Sequence, residues 1–219
     1  TDQAEKFLGS EDDDIIFASG GDDLFGGEAS ISLLNEGDIF VGGLGRDTVV
    51  LAGSEDDYIF MSKDSTSDVH KTINMTLDQG SLGSGSVLVV QKFSNPSGFI
   101  YIQSEVIRFT DDITWLEFNE NTGLITGSIS SDTLKGSSFT TDIFDGGLGD
   151  DILSGFGGLD NEFDIIKGGY GNDQIIVEGK NTDADGGSGH DTFKILGLNG
   201  TLMISNFSSA EDKIDLRSF

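Results

Sequence analysis

A nine-residue pattern governs what this chain can fold into. Residues 42–50, GGLGRDTVV, fit G-G-x-G-x-D-x-U-x at every fixed position, U being a large apolar residue. So do residues 146–154 (GGLGDDILS), 168–176 (GGYGNDQII) and 186–194 (GGSGHDTFK). Weaker copies hold the same register, apart from an insertion of about six residues in the Gly27 unit and four extra residues in the Gly155 unit. In the N-terminal half, units begin near Gly9, Ala18, Gly27, Gly42 and Ala52. Their sixth-position acids are Asp14, Asp23, Asp38, Asp47 and Asp57, and their eighth positions are Ile16, Phe25, Phe40, Val49 and Ile59. In the C-terminal half, units begin near Gly127, Gly136, Gly146, Gly155, Gly168, Val177 and Gly186. Their acids are Asp132, Asp142, Asp151, Asp164, Asp173 and Asp191, with Leu134, Phe144, Leu153, Ile166, Ile175 and Phe193 at the eighth position. The Val177 unit has lost its glycines and its sixth-position Asp.

The spacing has a physical reading. Positions one to six make a turn, and seven to nine a short strand whose side chains alternate, so position eight points inward. One large apolar residue per nine then suffices for a core. Glycines at the first, second and fourth positions (Gly42, Gly43, Gly45; Gly146, Gly147, Gly149; Gly168, Gly169, Gly171; Gly186, Gly187, Gly189) allow backbone angles closed to other residues and let carbonyls converge. Ca²⁺ takes about 6–8 oxygen ligands, and turn carbonyls with the sixth-position Asp supply oxygens of that kind. One turn cannot encircle the ion, whereas two stacked turns can. These Asp and Gly residues are therefore the expected metal-binding set, for several ions. Successive units should alternate between two edges, so neighbours on one edge lie about two nonapeptides apart. Asp151, Asp173 and Asp191 should share one edge, and Asp142 and Asp164 the other. Asp14, Asp38 and Asp57 should likewise lie opposite Asp23 and Asp47. The fold expected is all-β: a parallel β-roll, a right-handed β-solenoid, in two repeat arrays (1–60 and 127–194) flanking a β-rich insert (61–126), with 195–219 as a capping segment.

The charge reads as an acidic surface or as the counterpart of a bound cation. Asp and Glu number 39 against 12 Lys and Arg, a formal net charge of -27. Such a surface repels nucleic acid and anionic membranes. Leu, Ile, Val and Phe make up about 30% of residues, above the roughly 20% of disordered chains. There are no cysteines, which excludes disulfides, thiolate metal sites and Cys nucleophiles. The first residues, TDQAEKFLGSEDDD, have neither a basic nor an apolar region and do not read as a secretory leader. No apolar run is long enough to span a membrane.

The array resembles the RTX, or haemolysin-type, calcium-binding repeats of bacterial proteins exported by type I secretion. The tail DTFKILGLNGTLMISNFSSAEDKIDL and the middle segment VLVVQKFSNPSGFIYIQSEVIRFTDDITW are similar to segments that accompany such repeats. The resemblance implies a parallel β-roll with Ca²⁺ between stacked turns, an uncleaved C-terminal signal read by the type I secretion machinery, and folding on exit from the cell. It carries no enzymatic activity. The expected role is a secreted, extracellular or cell-surface module that stabilises a larger protein such as a toxin, an adhesin or a secreted enzyme.

Within the insert, strands are expected near 71–77, 86–93, 99–109 and 113–118 from their β-branched and aromatic content. The insert reads either as a cover for a roll end or as a module for an extracellular glycan or cell surface, and Trp115 is expected in the core. A third possibility is an accessory module of a secreted enzyme such as an alginate epimerase or a protease. No catalytic constellation stands out. The two histidines are His70 and His190; His190 occupies a variable turn position, and nothing around His70 resembles a nucleophile elbow. SSAEDKIDL should begin a short turn or helix, with Ser208 or Ser209 at its start.

Overall fold

A computed structural model describes residues 4, 6–7, 15–18, 21–26, 39–43, 45–54, 57–63, 87–92, 100–103, 105–109, 115–119, 122–136, 141–155, 163–179 and 181–216. The described residues form parallel stacked coils, a β-solenoid, with no α-helix. Among them no helix is long and apolar enough to cross a membrane. Ten strands come first: β1 (Lys6–Phe7), β2 (Ile15–Phe17), β3 (Leu24–Phe25), β4 (Ile39–Val41), β5 (Thr48–Leu51), β6 (Tyr58–Lys63), β7 (Val87–Lys92), β8 (Ile100–Gln103), β9 (Val106–Phe109) and β10 (Trp115–Asn119). There follow β11 (Leu124–Thr126), β12 (Thr133–Lys135), β13 (Ile143–Leu148), β14 (Ile152–Ser154), β15 (Asp164–Tyr170), β16 (Gln174–Val177), β17 (Thr182–Ser188), β18 (Thr192–Ile195), β19 (Leu202–Ser205) and β20 (Lys213–Asp215). The chain divides into two compact units, Thr1–Tyr58 with Ser62–Gly123, and Ile59–Met61 with Leu124–Phe219.

In the second unit the odd strands β11-β13-β15-β17-β19 stack in parallel as one sheet, and the even strands β12-β14-β16-β18-β20 as another. Each coil thus gives one strand to each sheet. The registers place eighth-position residues directly over one another: Ile125, Phe144, Ile166, Ala184 and Ile204 in one column, and Leu134, Leu153, Ile175, Phe193 and Ile214 in the other. These columns face each other as the core. Phe144, Leu153, Ile166, Ile175, Ala184 and Phe193 are all buried. Removing a Leu, Ile or Phe side chain from water contributes roughly 1.5–3 kcal/mol. In the last coil Ile214 is half open to solvent, since among the described residues no strand follows β20 in its sheet. The tail therefore adds strands to both sheets as a further coil.

In the first unit β3 pairs in parallel with β1 and β5, and β2 with β4. Strands of the 61–126 segment continue these stacks: β8 pairs in parallel with β4, and β9 with β5. Two antiparallel pairings follow, β7 with β8 and β10 with β9. Expected strands at 86–93, 99–109 and 113–118 match β7 to β10, and the one at 71–77 lies outside the described residues. Trp115, expected in the core, is 45% exposed. It sits on the outward phase of β10, whose alternate residues Leu116 and Phe118 are the buried ones. The Ala52 unit also departs from expectation: Tyr58 and Phe60 are buried, and Ile59 between them is not.

Candidate metal sites along the turns

The turns owe their shape to close backbone approach. At Gly171, in the fourth position, φ is +139°, and a Cβ would run into the carbonyl oxygen of Gly149, one coil below. At Gly168, in the first position, the place a Cβ would fill is already bounded by Asp173 Oδ2 and by the carbonyl oxygen of Gly186 in the next coil. Gly146 repeats this cradle with Asp151 Oδ2 and the Gly168 carbonyl. A carboxylate oxygen and a carbonyl oxygen from successive coils thus face one small space, both carrying lone pairs.

The sixth-position aspartates form ladders. The Asp132 N–H donates to Asp151 Oδ1 at 2.8 Å, that of Asp151 to Asp173 Oδ1 at 2.8 Å, and that of Asp173 to Asp191 Oδ1 at 2.9 Å. Asp191 N–H in turn donates to Asp212 Oδ1 at 3.0 Å. On the other edge Asp142 N–H donates to Asp164 Oδ1 at 3.0 Å. In the first unit Asp23 N–H donates to Asp47 Oδ1 at 2.8 Å, and Asp47 N–H to Glu105 Oε2 at 2.8 Å. Each interior Asp spends Oδ1 on the coil before it.

The second oxygen is the unusual one. Oδ2 of Asp47, Asp151, Asp173 and Asp191 is shut off from solvent and accepts no hydrogen bond, and these residues are at most 1% exposed. An ionised carboxylate buried this way is costly unless a positive charge or a proton compensates it. Burial, with nearby carboxylates adding to it, raises the Asp151 carboxyl from 3.8 to about 7, those of Asp47 and Asp173 to about 6, and that of Asp191 in the same direction. Among the described residues no three acidic or imidazole side chains converge, so any cation here must rely on backbone carbonyls. The donor set of carboxylate and carbonyl oxygens suits a hard, oxygen-seeking ion such as Ca²⁺ and offers nothing to a soft metal.

The fifth position carries a second ladder, running the other way. Arg46 N–H donates to Asp22 Oδ1, Asn172 N–H to Asp150 Oδ1, and His190 N–H to Asn172 Oδ1, at 2.7–2.9 Å. His190 is exposed, as its turn position implies, and its Nδ1 lies 3.0 Å from the Glu211 carbonyl oxygen.

The structure brings Asp151, Asp173 and Asp191 onto one edge as the spacing implies, and adds Asp132 and Asp212 to it. Asp23 joins Asp47, and Asp142 joins Asp164. Asp57 is only half-buried, in a local turn with Ser54, whose N–H lies 3.4 Å from its Oδ2. Asp14 and Asp38 lie outside the described residues. In the Val177 unit, Thr182 takes the buried sixth position. Two ladder members, Asp212 and Glu105, fall outside the recognised repeats. The signal was present, since each is an acid two residues before an Ile in the core column (Asp212 with Ile214, Glu105 with Ile107), but without the glycines.

No known family model matches the chain, and no curated protein matches it.

Proposed function

We propose that this chain is a calcium-binding module of the RTX type, a non-catalytic part of a larger extracellular protein, that folds when Ca²⁺ fills its turns after export by a type I system. The observation that carries this reading is the row of buried carboxylate oxygens without hydrogen-bond donors, each beside the first glycine of its turn. A cation there would neutralise charge that otherwise opposes compaction of a chain of net charge -27. Asp47, Asp151, Asp173 and Asp191 would supply side-chain oxygens, with turn carbonyls such as those of Gly168 and Gly186 beside them. Ca²⁺ accepts irregular shells of about 6–8 oxygens, whereas Mg²⁺ needs a near-ideal octahedron and gives up water reluctantly. Where metal binds only the folded state, binding free energy becomes folding free energy. Low cytosolic calcium would keep the chain unfolded and able to pass an exporter, and external calcium would close the roll.

Far-UV circular dichroism of the EDTA-stripped chain tests this reading. The expected result is a weak β signal restored cooperatively by Ca²⁺ and not by Mg²⁺. A full β signal and cooperative melt without metal, unchanged by Ca²⁺, would refute it.

A further inference from the structure

We infer that, on the long edge of the second unit, calcium is held only at Asp151, Asp173 and Asp191, and that Asp132 and Asp212 are metal-free end caps whose own turns take the place of the cation. This rests on the calcium reading above and narrows it to named rungs.

All five residues belong to one ladder, in which Oδ1 of Asp151, Asp173, Asp191 and Asp212 accepts the N–H of the rung before it and Asp132 donates the first N–H, so Oδ1 does not separate the interior three from Asp212. Their Oδ2 atoms do. In Asp151, Asp173 and Asp191, Oδ2 is buried without a donor. In Asp132 the carboxylate is met by its own turn: Ser128 N–H donates to Oδ2, and Ser128 Oγ lies 3.0 Å from Oδ1 and 3.1 Å from Oδ2. In Asp212, Ser208 N–H donates to Oδ2 at 2.7 Å while Oδ1 serves Asp191. These two carboxylates have the donors that the interior three lack.

The difference traces to a few residues. Interior turns place Gly147, Gly169 and Gly187 at the second position, with φ of +93°, +106° and +92°. A left-handed residue there turns its N–H away from the carboxylate; that of Gly187 goes to Asp185 Oδ1 at 3.0 Å. Ser128 holds the same position without a left-handed φ, so its N–H faces Asp132. In the last coil, NFSSAED replaces GGxGxD with one residue more. The added residue folds the turn back, with Asp212 N–H donating to the Ser208 carbonyl at 2.7 Å, and so aims Ser208 N–H at the carboxylate. Asp212 also sits before β20, the last strand of its sheet. A cation between turns needs a turn on each side, and a self-satisfied carboxylate lets the ladder stop there.

The test counts calcium bound to the full chain, by elemental analysis after dialysis against excess Ca²⁺, with far-UV circular dichroism as the check on folding. Asp132→Asn and Asp212→Asn should each leave the count unchanged. Asp151→Asn, Asp173→Asn and Asp191→Asn should each lower it by one or more, read on whichever of the three keep their β signal. Ser128→Ala, which removes only the hydroxyl, gives a second measurement at the Asp132 end and should also leave the count unchanged. Loss of a calcium from folded Asp132→Asn, Asp212→Asn or Ser128→Ala would overturn the end-cap assignment while leaving the calcium reading intact. So would an unchanged count in the folded interior variants. A wild-type chain that binds no calcium would overturn the calcium reading itself, and this inference with it.

Discussion

Replacing Asp151 with Asn should stabilise the calcium-free protein at neutral pH, although it removes a carboxylate that the loaded protein uses. Asp151 is 1% exposed; its Oδ1 accepts from Asp132 N–H, and its Oδ2 accepts from nothing. Burial first, then the charges of Asp173, Asp132 and Asp150, raise its carboxyl from 3.8 to about 7. The folded state therefore holds this proton more tightly than the unfolded chain. Below the unfolded value both states are protonated and the site costs nothing. As pH climbs from 3.8 towards 7 the unfolded chain ionises freely, the folded one resists, and stability is lost across that window. At roughly 1.4 kcal/mol per pH unit, the full penalty above the window is about 4 kcal/mol as an upper bound. Asn keeps the Oδ1 acceptor for Asp132 and has no charge to bury. In EDTA at pH above 7, Asp151→Asn should gain about 2–4 kcal/mol over wild type in urea titrations. If the stripped wild type has no β signal, the same gain appears as partial recovery of that signal in the variant. The gap should close below about pH 3, where Asp151 is protonated in both states. In saturating Ca²⁺ the order should reverse. A variant less stable than wild type in EDTA at neutral pH, or a gap independent of pH, would refute the argument that burial of this charge works against the metal-free fold.

Other expectations follow from the same geometry. Gly171→Ala puts a Cβ against the Gly149 carbonyl at φ +139°, whereas at Gly197 a Cβ meets nothing within 4 Å; chemical denaturation should show a loss of about 1–3 kcal/mol for the first and within about 0.5 kcal/mol of no change for the second. Phe193→Ala empties a fully buried position in the even-strand column, and should cost about 3–5 kcal/mol by calcium-loaded unfolding. Trp115→Phe, at a side chain 45% exposed, should shift stability by less than about 0.5 kcal/mol, and an intrinsic-fluorescence quencher should reach Trp115 in the folded protein.

The solenoid was legible because two independent periodicities agreed: glycines that allow tight turns, and one large apolar residue two places after each acid. Phe144, Leu153, Ile166, Ile175 and Phe193 all obey it. The reading weakened where one signal was missing. Thr182 fills the buried sixth position of a unit that lacks the pattern's glycine and Asp positions, and Ala184 fills its column with a small side chain. At Asp57 the register slips by one residue, which turns Ile59 outward and brings Tyr58 and Phe60 in, because strand alternation has period two. Trp115 shows that size and apolarity do not fix a face, since its neighbours Leu116 and Phe118 had already claimed the inner phase. Motif matching also could not separate Asp132 from Asp151. Both are sixth-position acids, and it is Ser128, through its N–H and its hydroxyl, that distinguishes their second oxygens.

Along the Asp132–Asp212 ladder, successive members are 19, 22, 18 and 21 residues apart, yet the bond between them stays within 2.8–3.0 Å. Pitch is therefore uncoupled from contour length. Extra residues between two rungs leave the rung-to-rung bond unchanged. A protein built this way can accept insertions during evolution, or in the hands of an engineer, wherever the arc between two rungs is already slack. It can do so without renegotiating the packing of either sheet. The permissive arcs are the ones that already exceed two nonapeptides, and the 18-residue arc from Asp173 to Asp191 is the one with no slack to give.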